Sequence, residues 1–100
     1  MSIESMLSKD GREVTINISG RFDFQSVQEF RNAYVNHQEK SPTYTIDMRS
    51  TEHMDSSALG MLLNMRKQLG DTATIRIVNC RPQIKKILTI SRFDKKFSIE

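Results

Sequence analysis

The spacing of apolar residues along the chain predicts strands in both halves of the sequence. The segment EVTINIS (13–19) alternates strictly, with Val14, Ile16 and Ile18 on one face and polar residues on the other. Strict alternation over several residues is typical of a strand with one buried face. Further apolar runs predict strands at 3–8, 43–48 and 73–78, and a short last strand in the tail that carries Phe93, Phe97 and Ile99.

Between the predicted strands the apolar period becomes helical. From about residue 24, Val27, Phe30 and Tyr34 fall on one helical face. A second helical pattern repeats at Ala58, Met61, Leu62, Met65 and Leu69, and Pro82 suits the first position of a third helix. The resulting order, β-β-α-β-α-β-α-(β), predicts an α/β domain in which helices cover a mixed sheet.

Turn and capping residues mark the boundaries of these elements. Asp10-Gly11 is a dipeptide typical of tight hairpins, and Gly20 is expected to end the strand before it. The segment 49–53 is predicted to be a loop. Before the first helix two solutions fit equally well, a capping box of Ser26 with Glu29 or an N-cap at Asp23.

Length and composition indicate one small domain over residues 1–100. The chain has 100 residues, of which 37% are hydrophobic, and no apolar run approaches the roughly 18 residues of a membrane span. The first residues lack the basic-then-apolar order of a signal peptide. The single cysteine, Cys80, cannot form an internal disulfide, which suits a reducing compartment. We therefore expect a cytoplasmic protein without a membrane partner, and we favour a monomer.

The net charge of +3 is concentrated near the end of the chain. Six basic residues lie within 81–96, namely Arg81, Lys85, Lys86, Arg92, Lys95 and Lys96. Such a run suits either a nucleic-acid contact or a solvated helix face. No aromatic residue separates the first three, so a platform for stacking bases is poorly supported. We favour the solvated face and expect no nucleic-acid partner.

Several chemistries lack the residues they require. There is no glycine-rich phosphate loop, and His37, His53 and Cys80 are too isolated to predict a metal site. A hydrolase triad of His53, Asp55 and Ser56 fails on spacing, because three neighbouring side chains can hardly engage both ring nitrogens of one histidine. We therefore expect no catalytic residue, no metal and no cofactor, and a protein that is not an enzyme.

The segment MDSSALGML (54–62) carries the most specific chemistry in the sequence. If Asp55 or Ser56 caps the helix, free backbone N–H groups and the positive end of the helix dipole lie beside Ser56. A phosphate on Ser56 would be tolerated there and would change the surface charge strongly. Plain helix capping explains the same residues. A small module that binds an anion or a nucleotide at this helix start is a third interpretation.

Three segments resemble the STAS family, the domain of bacterial anti-sigma-factor antagonists. MDSSALGML, after a strand ending IDMRS, is similar to the central signature of that family. ISGRFDF (18–24) resembles its strand-end pattern of Gly, variable, apolar and Asp, and the segment 78–97 resembles its last strand and helix. The resemblance implies a STAS fold, with a mixed sheet of four to five strands and about three to four helices packed mainly on one side.

The resemblance also implies a role for each residue that matches the signature. Ser56 corresponds to the phosphoacceptor of a dedicated serine kinase, and Ser57 to its neighbouring Ser or Thr. Asp23 and Asp55 correspond to acidic positions in the partner-binding surface. The unphosphorylated form would bind an anti-sigma factor or kinase, phosphorylation would break that contact, and a PP2C-type phosphatase would restore it. One regulator carrying both enzymatic domains would suffice.

Two features extend this interpretation along the helix. Leu59 and Leu63 fall outside the predicted core stripe, so each suits either a docking surface or a wider core face. Ala58 stands where many family members have glycine, and alanine favours a helix. The Ser-Ala-Leu-Gly form resembles single-domain proteins of gamma-proteobacteria, including a regulator of biofilm polysaccharide in marine vibrios. Control of such a pathway, or of sigma-dependent transcription, is the implied output.

Overall fold

A computed structural model describes residues 3–37 and 42–100. The strands are β1 (Ile3–Leu7), β2 (Glu13–Ile18), β3 (Gly20–Phe22), β4 (Thr43–Asp47), β5 (Thr51–Met54), β6 (Ile75–Val78) and β7 (Ser98–Ile99). The α-helices are α1 (Val27–Val35), α2 (Ser56–Leu69) and α3 (Pro82–Ile90), and short 3-10 turns cover Phe24–Ser26 and Phe93–Lys95.

The main sheet has five strands in the order β1-β2-β4-β6-β7. β1 and β2 form the antiparallel hairpin predicted at Asp10-Gly11, and the remaining neighbours are parallel. Gly11 adopts a φ of +73°, the left-handed region that glycine occupies without steric cost. The predicted mixed sheet of four to five strands, with three helices, is confirmed.

The hydrophobic core lies between one face of this sheet and the helices. The buried strand residues alternate as the sequence predicts and include Val14, Ile16, Ile18, Tyr44, Ile46, Ile75 and Ile77. The helices contribute Phe30, Tyr34, Ala58, Leu62, Met65, Ile84 and Leu88 to the same cluster. The opposite face is polar, and there Arg76 pairs with Glu13 and Glu100. One face therefore provides the hydrophobic stabilisation of the domain.

A second, two-stranded sheet corrects the prediction that 49–53 is a loop. β3 and β5 pair in parallel, with Phe22 opposite Met54. The Thr51 hydroxyl is fully buried and donates a 2.7 Å hydrogen bond to the Ile18 carbonyl, which ties β5 to the end of β2. The strands have only three and four residues, too few for alternation to identify them. This small sheet leads directly into α1 and α2.

The start of the first helix also differs from the prediction. A 3-10 turn over Phe24–Ser26 precedes α1, so Val27 is the first residue of that helix. Phe30 and Tyr34 are buried as expected, but Val27 is 47% exposed. The capping alternatives resolve in favour of Asp23, whose side chain caps the 3-10 turn, while Ser26 makes no side-chain cap for α1.

Arg66 connects the end of α2 to two other parts of the chain. Its guanidinium donates hydrogen bonds to the carbonyls of Gly70 at 3.0 Å and Ala73 at 2.7 Å. It also donates to the carbonyl of Lys96, and it lies 5.3 Å from the centre of the Phe97 ring. One side chain therefore holds the helix end, the loop before β6 and the C-terminal segment together.

Candidate functional site

Asp23 and Asp55 follow the paired ends of the two strands of the small sheet. Each follows the last residue of a strand, and those residues, Phe22 and Met54, are opposite each other in the parallel register. The carboxyl ends of parallel strands meet at the same edge of a sheet, about 5 Å apart. Each aspartate also caps the helical turn that follows it. The fold thus brings together two acidic residues that the sequence separates.

Asp55 is the N-cap of α2. Its Oδ1 accepts hydrogen bonds from the backbone N–H groups of Ser57 at 3.0 Å and Ala58 at 3.2 Å. The Ser57 hydroxyl donates to the same oxygen at 2.5 Å. These donors, chiefly the Ser57 hydroxyl, hold the pKa of Asp55 below its ordinary value. Asp55 is therefore negatively charged at neutral pH, at the positive end of the helix dipole.

The two serines occupy different environments. Ser57 is half-buried and its hydroxyl is committed to Asp55. Ser56, the first residue of α2, is exposed, and within residues 3–37 and 42–100 its hydroxyl has no hydrogen-bond partner. A modifying enzyme can therefore reach the Ser56 hydroxyl without breaking an interaction of the fold.

Asp23 is more enclosed than Asp55, at 6% exposure. Its side chain accepts hydrogen bonds from the Gln25 N–H at 3.0 Å and from Arg21 Nε at 3.2 Å. The Arg21 side chain is largely exposed, so this ion pair lies at the surface. Asp23 thus holds its turn in place, and together with Arg21 it forms an ion pair at the end of β3.

Exposed apolar residues flank these aspartates. Leu59 is partly buried against the core, whereas Leu63 is 40% exposed. Phe24, at 66% exposure, follows Asp23 directly, and Val27, at 47%, lies four residues after it. A single phenylalanine after a strand end has no periodicity that separates an exposed side chain from a buried one, so the sequence pattern does not identify Phe24. These side chains provide apolar surface close to the charged residues.

The hydrolase arrangement is not assembled. His53 is exposed on β5. Within the described part of the chain, Asp55 accepts its hydrogen bonds from Ser57 and Ala58, not from His53. The ordered Ser–His–Asp chain of hydrogen bonds that nucleophilic catalysis requires does not form around His53.

The other predicted chemistries have less structural support than the α2 site. The N–H groups of Ser57 and Ala58 are already occupied by a carboxylate, which disfavours an anion at this helix start. A cavity of about 190 Å³, lined by residues that include Tyr44 and Leu69, lies at the start of β4 and not at Ser56. All six basic residues of 81–96 are exposed.

Two features are absent from the residues that the structure describes. No group of three or more His, Cys, Asp or Glu side chains in 3–37 and 42–100 is arranged to hold a metal ion. Over the same residues, no helix has the length and apolar character that crossing a membrane requires.

Comparison with known proteins identifies relatives along almost the whole chain. Residues 5–99 match the family model described as Mlab, STAS domain. A STAS-domain containing protein of Pseudomonas aeruginosa (strain UCBPP-PA14) is 46% identical over 100 residues, covering 99% of each chain.

Solved structures of more distant proteins share the fold. An anti-sigma factor antagonist from Mycobacterium paratuberculosis aligns with a TM-score of 0.80 at 21% identity, over 98% of this chain and 85% of that one. The anti-sigma factor antagonist SpoIIAA in its unphosphorylated form aligns with a TM-score of 0.75 at 18% identity, over 98% and 86%. The phosphorylated form of the Bacillus protein SpoIIAA gives 0.73 at 18% identity, over 98% and 90%.

The family match and the 46% identical relative agree with the fold. The five-stranded mixed sheet, the three helices and the aspartate-capped start of α2 are arranged on the fold of the anti-sigma-factor antagonists. The chain belongs to the STAS-domain family.

Proposed function

We propose that this chain is a cytoplasmic regulatory protein, a single STAS domain whose binding to a partner is switched by phosphorylation of Ser56. The unphosphorylated form binds a kinase-type anti-sigma protein or a related regulator. A serine kinase inactivates it, and a PP2C-type phosphatase, on the same regulator or a separate protein, restores it. The output is sigma-dependent transcription or biofilm polysaccharide production.

The observation that carries this proposal is the difference between the two serines. Ser57 donates its hydroxyl to the capping carboxylate, whereas the Ser56 hydroxyl is exposed at the first residue of α2. A kinase that recognises this turn therefore has one accessible acceptor. The solved structures of SpoIIAA in unphosphorylated and phosphorylated forms support the idea that this fold accommodates a phosphate.

The electrostatics explain why phosphorylation would end partner binding. A phosphoserine carries about −1.5 to −2 charges at neutral pH. Asp55 is ionised and already uses the N–H groups of Ser57 and Ala58, so those donors cannot neutralise the phosphate. The added charge would stand beside Asp55 and near Asp23, and a partner that fits the unmodified surface would be repelled.

The partner surface in this proposal consists of Asp23, Asp55, Ser57 and Leu59, with Ser56 at its centre. Asp55 and Ser57 fix the shape of the turn through their mutual hydrogen bond. Asp23 adds charge together with Arg21. Leu59 is partly buried against the core, so it contributes its exposed edge.

The test compares variants that differ only at the switch. Two full-length variants, Ser56→Ala and Ser56→Asp, are each used as bait in a lysate of the organism that encodes the protein. The proteins that each variant retains are identified by mass spectrometry. We expect Ser56→Ala to retain a protein with a serine-kinase domain that Ser56→Asp releases. Phosphopeptide mapping of the chain isolated from cells should place the phosphate on Ser56.

Ser91→Ala is the matched control, because it removes an exposed serine hydroxyl at the end of α3 and leaves Ser56 and its turn intact. We expect this variant to remain phosphorylated. A phosphate on another residue, or equal retention of proteins by Ser56→Ala and Ser56→Asp, would refute the proposal.

A further inference from the structure

Gly60 is an exposed glycine in the interior of α2 that the fold does not require. Glycine is among the least favourable residues inside a helix. It is tolerated where φ is positive or where another group approaches closely, but Gly60 is helical and a Cβ built on it meets no atom within 4 Å. Intramolecular packing therefore does not account for this residue.

The stretch of α2 that contains Gly60 has no charged residue of its own. From Ser56 to Met65, α2 carries no charged side chain, although 27% of the residues in the chain are charged. The exposed positions in this stretch are Ser56, Gly60, Leu63 and Asn64. By contrast, the exposed positions of α3 include Lys85 and Lys86. Loss of charged residues and the presence of exposed apolar ones are typical of the centre of a protein interface.

Gly60 follows Ser56 by one helical turn, so both lie on the same side of α2. Leu63 lies about one turn further along that side and is 40% exposed. This row of uncharged positions thus starts at the proposed phosphorylation site, and a protein that follows α2 from Ser56 would extend over Gly60.

We infer that Gly60 is a docking residue, whose missing side chain lets the backbone of an uncharged, apolar segment of the partner pack directly on α2. This inference rests on the proposed function and identifies the steric requirement of its partner surface. Ser56 supplies the charge switch, and Gly60 supplies the close approach. Leu63 provides adjacent apolar contact area.

The test is the substitution Gly60→Ala, which adds one methyl group to open space. We expect the urea midpoint to rise, because alanine favours the helix, and the affinity for the partner to fall by about tenfold or more, because the methyl group prevents backbone contact. The probe is the purified protein that Ser56→Ala retains and Ser56→Asp releases. Binding is measured with the full chain.

Thr89→Ala is the control, since Thr89 is an exposed residue of α3 and alanine also favours that helix. It should raise the midpoint and leave the affinity within about twofold of the parent. Equal binding by Gly60→Ala, or a fall in its urea midpoint, would overturn the inference while leaving the phosphorylation switch intact. If no protein distinguishes Ser56→Ala from Ser56→Asp, the proposed function fails, and the inference fails with it.

Discussion

Replacing Arg66 tests whether one side chain stabilises the end of α2 without affecting the start of the same helix. In Arg66→Met the apolar stem is kept, whereas the hydrogen bonds to the carbonyls of Gly70, Ala73 and Lys96 are lost. The contact of a cation with the Phe97 ring is lost as well. The substitution therefore separates polar anchoring from packing.

The expected loss follows from these contacts. A hydrogen bond from a charged donor contributes about 1.5 kcal/mol or more, but partly exposed carbonyls regain water when the donor is removed. Arg66 Nε is buried and, within the described residues, has no hydrogen-bond partner. This unpaired group costs free energy and so reduces the net stabilisation that Arg66 provides. With about 0.5–1 kcal/mol for the cation–π contact, we expect the free energy of unfolding to fall by about 3 kcal/mol.

Urea denaturation followed by circular dichroism measures this change. For a slope of about 1.5 kcal/mol per M, the midpoint should fall by about 2 M. Arg66→Lys should lose less, because lysine keeps the cation but cannot reach three carbonyls with one planar group. Ser56 lies ten residues away along the helix, roughly 15 Å, so phosphorylation of the folded variant should be unchanged. A loss below about 1 kcal/mol would refute the reasoning.

Three further predictions concern the site and its support. The pKa of Asp55 is held below its ordinary value of 3.8, so the stabilisation by its charge is complete above pH 3.8 and is lost as the pH falls through the folded pKa. The urea midpoint of the parent should therefore fall between about pH 6 and about pH 2, and it should fall less in Asp55→Asn, which can still cap α2. Thr51→Val should lower the free energy of unfolding in urea by about 1–2 kcal/mol, because the buried Ile18 carbonyl loses a donor. Thr51→Ser should keep the hydrogen bond, and a loss in Thr51→Val well below this range would contradict a stabilising role for that bond. Asp23→Ala should cost about 1 kcal/mol through the lost cap, and Asp23→Asn should retain most of that stability in the same assay.

The main sheet and the second helix could be predicted because their patterns are long and regular. Val14, Ile16 and Ile18 alternate without exception, and Ala58 to Leu69 repeat over three helical turns. Burial of one face imposes such periods on the sequence, so the pattern identifies the face. The observed burial of these residues confirms both predictions.

The small sheet and the first turn of α1 could not be predicted in this way. β5 has four residues, of which only Thr51 and Met54 are buried, so its pattern is not that of a strand. Val27 fits a helical stripe with Phe30, but at the first residue of α1 it is exposed, so the stripe does not reach the end of the helix. The contacts that define β5 come from distant parts of the chain, which a local pattern does not record.

The candidate functional site, like the fold, could be predicted from the sequence only in part. A capping role for Asp55 or Ser56 follows from residue type, because aspartate and serine are favoured at helix starts. The preference of the Ser57 hydroxyl for Asp55, which leaves Ser56 exposed, depends on the geometry of one turn. Sequence alone therefore defines the pair of serines, and the folded turn distinguishes them.

The pairing of β3 with β5 has a consequence for when the switch can operate during the life of the protein. Phe22 and Met54 are more than thirty residues apart in the chain, and a two-stranded sheet is marginal by itself. The aspartates at its end therefore become neighbours only after the surrounding chain has folded. A kinase that contacts both would not recognise an unfolded chain, so the proposed phosphorylation of Ser56 would require a folded domain.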